Sequence, residues 1–167
     1  MESGSVVDDL LPAGILRVVA LMGDKRASVA VDAYRELLSG AEKEFGFDHE
    51  NVLAARSNLA AALSRDNRWG EAVAEYRMLV QGYEWVLGPD HPNTLAMRCN
   101  LAWALRESGR VEEAIEAYQT VLTDYLRVLG ADHPGTLATR GNLAGALQDA
   151  GRVEEAIEAY QTVLTDY

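Results

Sequence analysis

The chain has 167 residues, 49% of them hydrophobic, enough to build a continuous apolar core within the size range of one domain. Its 26 acidic residues against 15 basic ones, a net charge of −11, argue against a nucleic-acid binder, because phosphate neutralisation needs a basic stripe, and fit solubility or a basic partner. A single cysteine, Cys99, excludes an internal disulfide and any paired-thiol metal site, and suits a reducing cytoplasm.

The first predicted element is the apolar run from Leu10 to Met22. Asp8 and Asp9 precede it where a signal peptide needs positive charge, Arg17 interrupts it, and it is too short to span a bilayer. It reads as a buried helix, from about Pro12. The second element, residues 26–45, is recognised by register: Arg26, Ala30 and Tyr34 lie 42 residues before Arg68, Ala72 and Tyr76. The same step separates Asn-Leu-Ala at 58–60, 100–102 and 142–144, and Asp-His at 48–49, 90–91 and 132–133. A repeat of this length is the mark of stacked units, and the stretch GRVEEAIEAYQTVLTDY occurs unchanged at 109–125 and 151–167. Recent duplication and consensus-like design both produce such identity.

Each unit divides into two helices. The first runs from about Pro92 to Glu107, with Leu95, Leu101, Ala102 and Leu105 inward and Gly109 as a left-handed stop. Gly151 repeats the stop and Asn67 holds the same place one unit earlier. The second helix carries Val111, Ala114, Ile115, Tyr118, Val121, Leu122, Tyr125, Val128 and Leu129 on one stripe, with Glu112, Glu113, Glu116 and Gln119 opposite. Between units, Gly88-Pro89-Asp90-His91-Pro92 predicts a helix end, a short loop and a new start capped by Asp90 or His91. No strand signal is present. Short turns make neighbouring helices antiparallel, so the prediction is an all-α solenoid of helical hairpins forming a single domain. Its parts are a degenerate repeat at about 8–46, repeats at about 47–88 and 89–130, and a truncated repeat at 131–167.

Asn-Leu-Ala, Leu105, Gly109, Ala114 and Tyr118 resemble the small and large positions of the tetratricopeptide repeat. The 42-residue period with Leu-Gly-x-Asp-His-Pro is similar to the kinesin-light-chain subclass, which is also widespread in bacteria. The resemblance is good over about 43–167 and weaker over 12–42. It implies a right-handed superhelix whose first helices line a concave groove for a peptide or protein partner. The groove positions would be Ala54, Ser57, Ala61 and Ser64; Ala96, Cys99, Trp103 and Arg106; and Ala138, Gly141, Gly145 and Gln148. Arg65, Glu107 and Asp149 would rim it. Ser57, Cys99, Gly141, Ala61, Trp103 and Gly145 stand where the carboxylate-binding members carry Lys and Asn, which argues against recognition of a C-terminal carboxylate.

Within that frame, Asn58, Asn100 and Asn142 either form an amide ladder to a peptide backbone or bond to the neighbouring helix. Trp103, whose counterparts are Ala61 and Gly145, either anchors a ligand or fills a packing gap. The expected binding residues are therefore Asn58, Arg65, Cys99, Asn100, Trp103, Arg106, Asn142 and Gln148. Cys99 reads as an inert small hydrophobe. Arg56, Arg98 and Arg140 fall on the inward stripe, where each must lay its stem along the core and pair its charge, either as an inter-repeat ion pair with an acid such as Asp124 or by direct contact with a ligand carboxylate. The Asp-His pairs sit too far apart to converge on a metal and read as caps. No nucleophile elbow, phosphate loop or zinc motif is present, so the expectation is a non-enzymatic scaffold without cofactor. The alternative is a structural, oligomerising or sensing array of a larger signalling ATPase. The apolar stripe at the C-terminal end, Val153 to Leu164, and the apolar run near the N-terminus also predict self-association through exposed ends.

Overall fold

The computed structural model describes residues 27–165. They form α1 (Ala27–Phe45), α2 (Glu50–Arg65), α3 (Trp69–Leu87), α4 (Pro92–Glu107), α5 (Val111–Leu129), α6 (Pro134–Asp149) and α7 (Val153–Thr165), with no strand among the described residues. The helices expected at 26–45, 92–107 and 111–129 match α1, α4 and α5. The run from Leu10 to Met22 and the final Tyr167 lie outside the described residues. Among the described residues, no helix is long and apolar enough to cross a membrane.

Two compact units are present, one ending at Val86 and the other beginning at Leu87. In the first, α1 packs on α2 and α2 on α3, burying Ala30, Val31 and Tyr34 of α1, Leu59 and Leu63 of α2, and Val73 and Leu79 of α3. In the second, α4 packs on α5, α5 on α6 and α6 on α7, around Leu95, Leu105, Ile115, Tyr118, Val121, Leu143 and Leu147. These are the residues of the inward stripes, recurring every three to four positions, so apolar periodicity sets which helix face is buried.

The turn inside each hairpin is built as its residues dictate. Gly109 has φ +83, its N–H donates to the Arg106 carbonyl at 3.0 Å, and the Arg110 N–H donates to Leu105 at 2.9 Å. That pair of bonds closes the helix end with one residue in the left-handed region. Gly151 (φ +74) and Asn67 (φ 57) do the same, and Asn67 is the only described non-glycine residue at positive φ. The next helix opens with an arginine that clasps a glutamate three residues on: Arg68 to Glu71 at 2.7 Å, Arg110 to Glu113 at 2.6 Å and Arg152 to Glu155 at 2.7 Å.

At the loops between hairpins the cap is histidine. Nδ1 of His49, His91 and His133 accepts the backbone N–H two residues on, at 3.2, 3.2 and 3.0 Å. Of the two residues that could cap, Asp90 is instead gripped by Arg127, whose two terminal nitrogens reach its carboxylate at 2.8 and 2.5 Å. The Arg127 hydrogen bond holds the Asp90 carboxyl below its ordinary range. Thr94 and Thr136, both buried, donate to the carbonyls of Gly88 and Gly130 at 2.8 and 2.7 Å, tying each first helix to the residue that ends the helix before it. His91→Ala is therefore expected to cost about 0.5–2 kcal/mol of stability, and His91→Asn to recover most of it, since Asn caps well. Urea titration checks both, and Asp90→Ala, which removes only an exposed ion pair, should shift the midpoint less than His91→Ala. The opposite order would return the cap to aspartate.

Candidate functional site

The inward arginines organise the hairpins. Arg98 donates to Asp124 at 2.9 Å, the acid expected for it, but the pair lies within one hairpin, between α4 and α5, and does not link two repeats. Arg127 bonds the second Asp124 oxygen at 2.9 Å, so Asp124 serves two cations. Arg56 cannot repeat this pairing, because the residue 42 positions before Asp124 is Gly82. Its buried guanidinium reaches Glu75 of α3 at 2.7 Å and also binds Glu42 of α1. The contact with Glu42 crosses from one repeat to the next, whereas the contact with Glu75 stays within the α2–α3 hairpin, and Arg35 of α1 with Glu71 of α3 makes a second, exposed crossing. Arg140 is buried on α6.

In the second unit the expected binding residues of α4 lie against α6. The Cys99 thiol is 3.0 Å from the Thr139 hydroxyl, and Arg106 donates to Asp149 at 2.5 Å. Arg106 also lies flat on Gly145: a methyl group there would come within 3.0 Å of the guanidinium. Glycine at 145 leaves the guanidinium room to pack closely against α6. Trp103 sits one turn beyond Cys99 and one turn before Arg106, on the same face, and stays 36% exposed although its neighbours are packed. Asn142 and Gln148 are exposed on α6, and Asn100 is half-buried on α4, with its amide 4.0 Å from the Met97 sulfur. Burial pushes the Cys99 thiol upward, opposed by the Thr139 hydrogen bond, so it stays a thiol at neutral pH.

In the first unit, Asn58 is half-buried on α2 and Arg65 is exposed at its end. Ser64, expected on the groove, is buried and donates to the Ala60 carbonyl at 2.9 Å. Burial raises the pKa of the Tyr76 hydroxyl, and the nearby Ser64 hydroxyl opposes that rise. The equivalent residue one repeat on is Arg106, which is drawn away to Asp149, and the hydroxyl of Tyr118 is left buried with no protein partner. Desolvation raises the Tyr118 pKa, and the Arg106 charge lowers it by less. A buried hydroxyl without a bond carries its desolvation cost, so Tyr118→Phe should leave stability unchanged or raise it by up to about 1 kcal/mol, while Tyr76→Phe loses about 1 kcal/mol. Denaturant midpoints of the two variants measured side by side decide this; equal losses would mean that Tyr118 is bonded.

Sequence reasoning missed the Arg106 bridge and the threonine ties. The signal for the first was the coincidence of Arg106 with glycine one repeat on, at Gly145 rather than at its exact counterpart Gln148. Thr94 and Thr136 share a position that is Val52 in the preceding repeat, so their polar role was hidden by an apolar equivalent. Among the described residues, no group of three or more His, Cys, Asp or Glu side chains could hold a metal ion. Among the described large apolar side chains, Trp85 on α3 is the most exposed, at 78%.

A model of the tetratricopeptide repeat matches residues 69–126 and 105–167. No curated protein sequence matches the chain significantly. Among solved structures, one from Podospora anserina, described as a kinesin light chain with nearly identical TPR-like repeats, aligns over 99% of this chain and 78% of its own, with a TM-score of 0.87 at 26% identity. A point variant of that protein aligns equally well, at 27% identity over 99% of this chain and 77% of its own. BtubC of P. vanneervenii shares the fold, with a TM-score of 0.64 at 16% identity over 97% of this chain and 74% of that one.

Proposed function

This chain belongs to the tetratricopeptide repeat family, in its kinesin-light-chain-like form, and on that premise we propose that the α4 and α6 surface of its second unit binds a peptide segment of a partner protein. The family fold is an interaction scaffold, and a general role in protein interaction follows from it. The finer reading rests on one observation: Trp103, an aromatic ring at a position that is Ala61 and Gly145 in the other repeats, remains part exposed between Cys99 and Arg106, which are both engaged with α6. An anchored aromatic flanked by a fixed charge pair suits a ligand that offers one apolar side chain to Trp103. The exposed amides of Asn142 and Gln148 are free to meet the ligand's backbone, and Asn100 and Asn58 occupy the same repeat position as Asn142. The acid excess of the chain favours a ligand of net positive charge.

Panning a random peptide library on the 167-residue chain, with a Trp103→Ala and Arg106→Ala double variant as counter-target, tests this reading. The expected result is enrichment of basic peptides with one conserved aromatic or aliphatic residue that the double variant does not retain. Peptides retained equally by both proteins would contradict it.

A further inference from the structure

One repeat position exchanges an arginine for a tryptophan. In the second unit Arg127, near the end of α5, grips Asp90 of the loop before α4 through both terminal nitrogens. Forty-two residues earlier, in the first unit, the acid is kept as Asp48 but the arginine is replaced by Trp85, near the end of α3. The backbone frame is the same in both places. Gly46 and Gly88 have φ +83 and +89, and His49 and His91 cap the next helix with the same extended backbone and the same Nδ1 bond. Gly82 of α3 lies so close to Leu53 of α2 that an added Cβ would meet the leucine side chain at 2.4 Å. One turn further along that antiparallel pair, Trp85 comes level with the loop that carries Asp48. The acid has thus lost its cation: Asp48 is half-buried, and among the described residues it has no ion-pair partner. The exposure of Trp85 belongs to the position itself, since the Arg127 side chain is also 54% exposed although α6 packs on its helix.

We infer that Asp48 and Trp85 form a site for an arginine side chain of a partner polypeptide. The guanidinium takes the place at Asp48 that Arg127 takes at Asp90, with two N–H donors to one carboxylate. Its flat face and alkyl stem then lie on the exposed indole. Lysine suits the site less, because a compact ammonium neither forks onto a carboxylate nor stacks on a ring. The surroundings favour a cation. Glu44 and Glu50 flank Asp48 in sequence, and neither residues 44–55 nor residues 78–86 include a lysine or arginine. Phe47, exposed next to Asp48, gives an apolar contact to a side chain neighbouring the arginine.

The probe is the blocked peptide acetyl-Ala-Leu-Arg-Ala-amide, titrated into the isotope-labelled full chain and followed at the Trp85 indole N–H and the backbone amides of Phe47 to Glu50. Its twin carries citrulline, which keeps the shape of arginine without the charge. Saturable shifts at these groups are expected with the arginine peptide, and binding about fivefold or more weaker with the citrulline peptide. Asp48→Asn and, independently, Trp85→Leu should each weaken the arginine peptide about threefold or more; both positions are outside the core, so the fold is kept. Trp103→Ala should leave the titration unchanged, which separates this site from the groove. Equal binding of the two peptides, or undiminished binding to Asp48→Asn, would overturn the inference. So would shifts that spare Trp85 and the Asp48 loop, or no saturation up to about 50 mM peptide. Free arginine binding more tightly than the blocked peptide would also overturn it, because the occupant would then be the amino acid and not a side chain of a partner.

Discussion

Arg56→Ala is expected to destabilise the α1 to α3 unit by about 2–4 kcal/mol, the largest effect of any single charge removal in the described structure. The guanidinium is nearly buried, at 5% side-chain exposure, and binds two carboxylates from two different helices, Glu42 and Glu75. Removing it leaves those acids close together with no cation between them, and also deletes the aliphatic stem that lies along the core. Breaking a fully buried pair costs about 3–5 kcal/mol; the 37% and 23% exposure of Glu42 and Glu75 lets water take back part of that cost. Arg56→Met, which keeps the stem, should lose less than Arg56→Ala. A triple variant that also carries Glu42→Gln and Glu75→Gln should lose less still. Guanidinium chloride unfolding of the series reads the order directly, and a loss below about 1 kcal/mol for Arg56→Ala would place Arg56 among the ordinary surface ion pairs.

Trp103→Ala is expected to weaken a groove-selected peptide by about 2 kcal/mol or more, roughly 30-fold in affinity, with the helical circular dichroism spectrum intact. The size follows from the chemistry of the position. An indole buries a large apolar area at the cost of ordering two side-chain torsions, and its neighbours Cys99 and Arg106 are already held by Thr139 and Asp149, so little further ordering is needed on binding. Because Trp103 is part exposed in the free chain, its loss leaves no closed cavity, which is why the fold should survive. Trp85→Ala is the matched control: Trp85 is more exposed, but it lies on α3, a second helix, and removing it should leave affinity for the same peptide unchanged. Equal losses from the two tryptophans would mean that the peptide reads general surface hydrophobicity.

The fold was legible because its determinants are local and periodic. The Gly109, Gly151 and Asn67 stops, the inward stripes and the 42-residue beat all depend on residues close in sequence, and the helices follow from them within a residue or so. What depended on competition between partners was less legible. Asp90 and His91 were equivalent caps on paper; the presence of Arg127, 37 residues away, takes Asp90 and leaves the cap to histidine. Arg98 and Asp124 could be paired from their stripes, but not assigned to one hairpin. For Arg56 the expected acid is replaced by Gly82, and its partners come from flanking helices that periodicity alone does not rank. The candidate site divides the same way: the exposure of Trp103 agrees with its singular sequence position, whereas the Arg106 bridge joins it to Asp149, 43 residues away, a partner that its own helix does not reveal.

Backbone amide chemical-shift mapping of the labelled chain with a groove-selected peptide tests the central claim most directly. The account predicts that the largest shifts fall at Cys99, Asn100, Trp103 and Arg106 on α4 and at Asn142 and Gln148 on α6, with α5 residues such as Glu112 and Glu116 unmoved. Shifts concentrated on α5 or α7, with α4 and α6 silent, would contradict it.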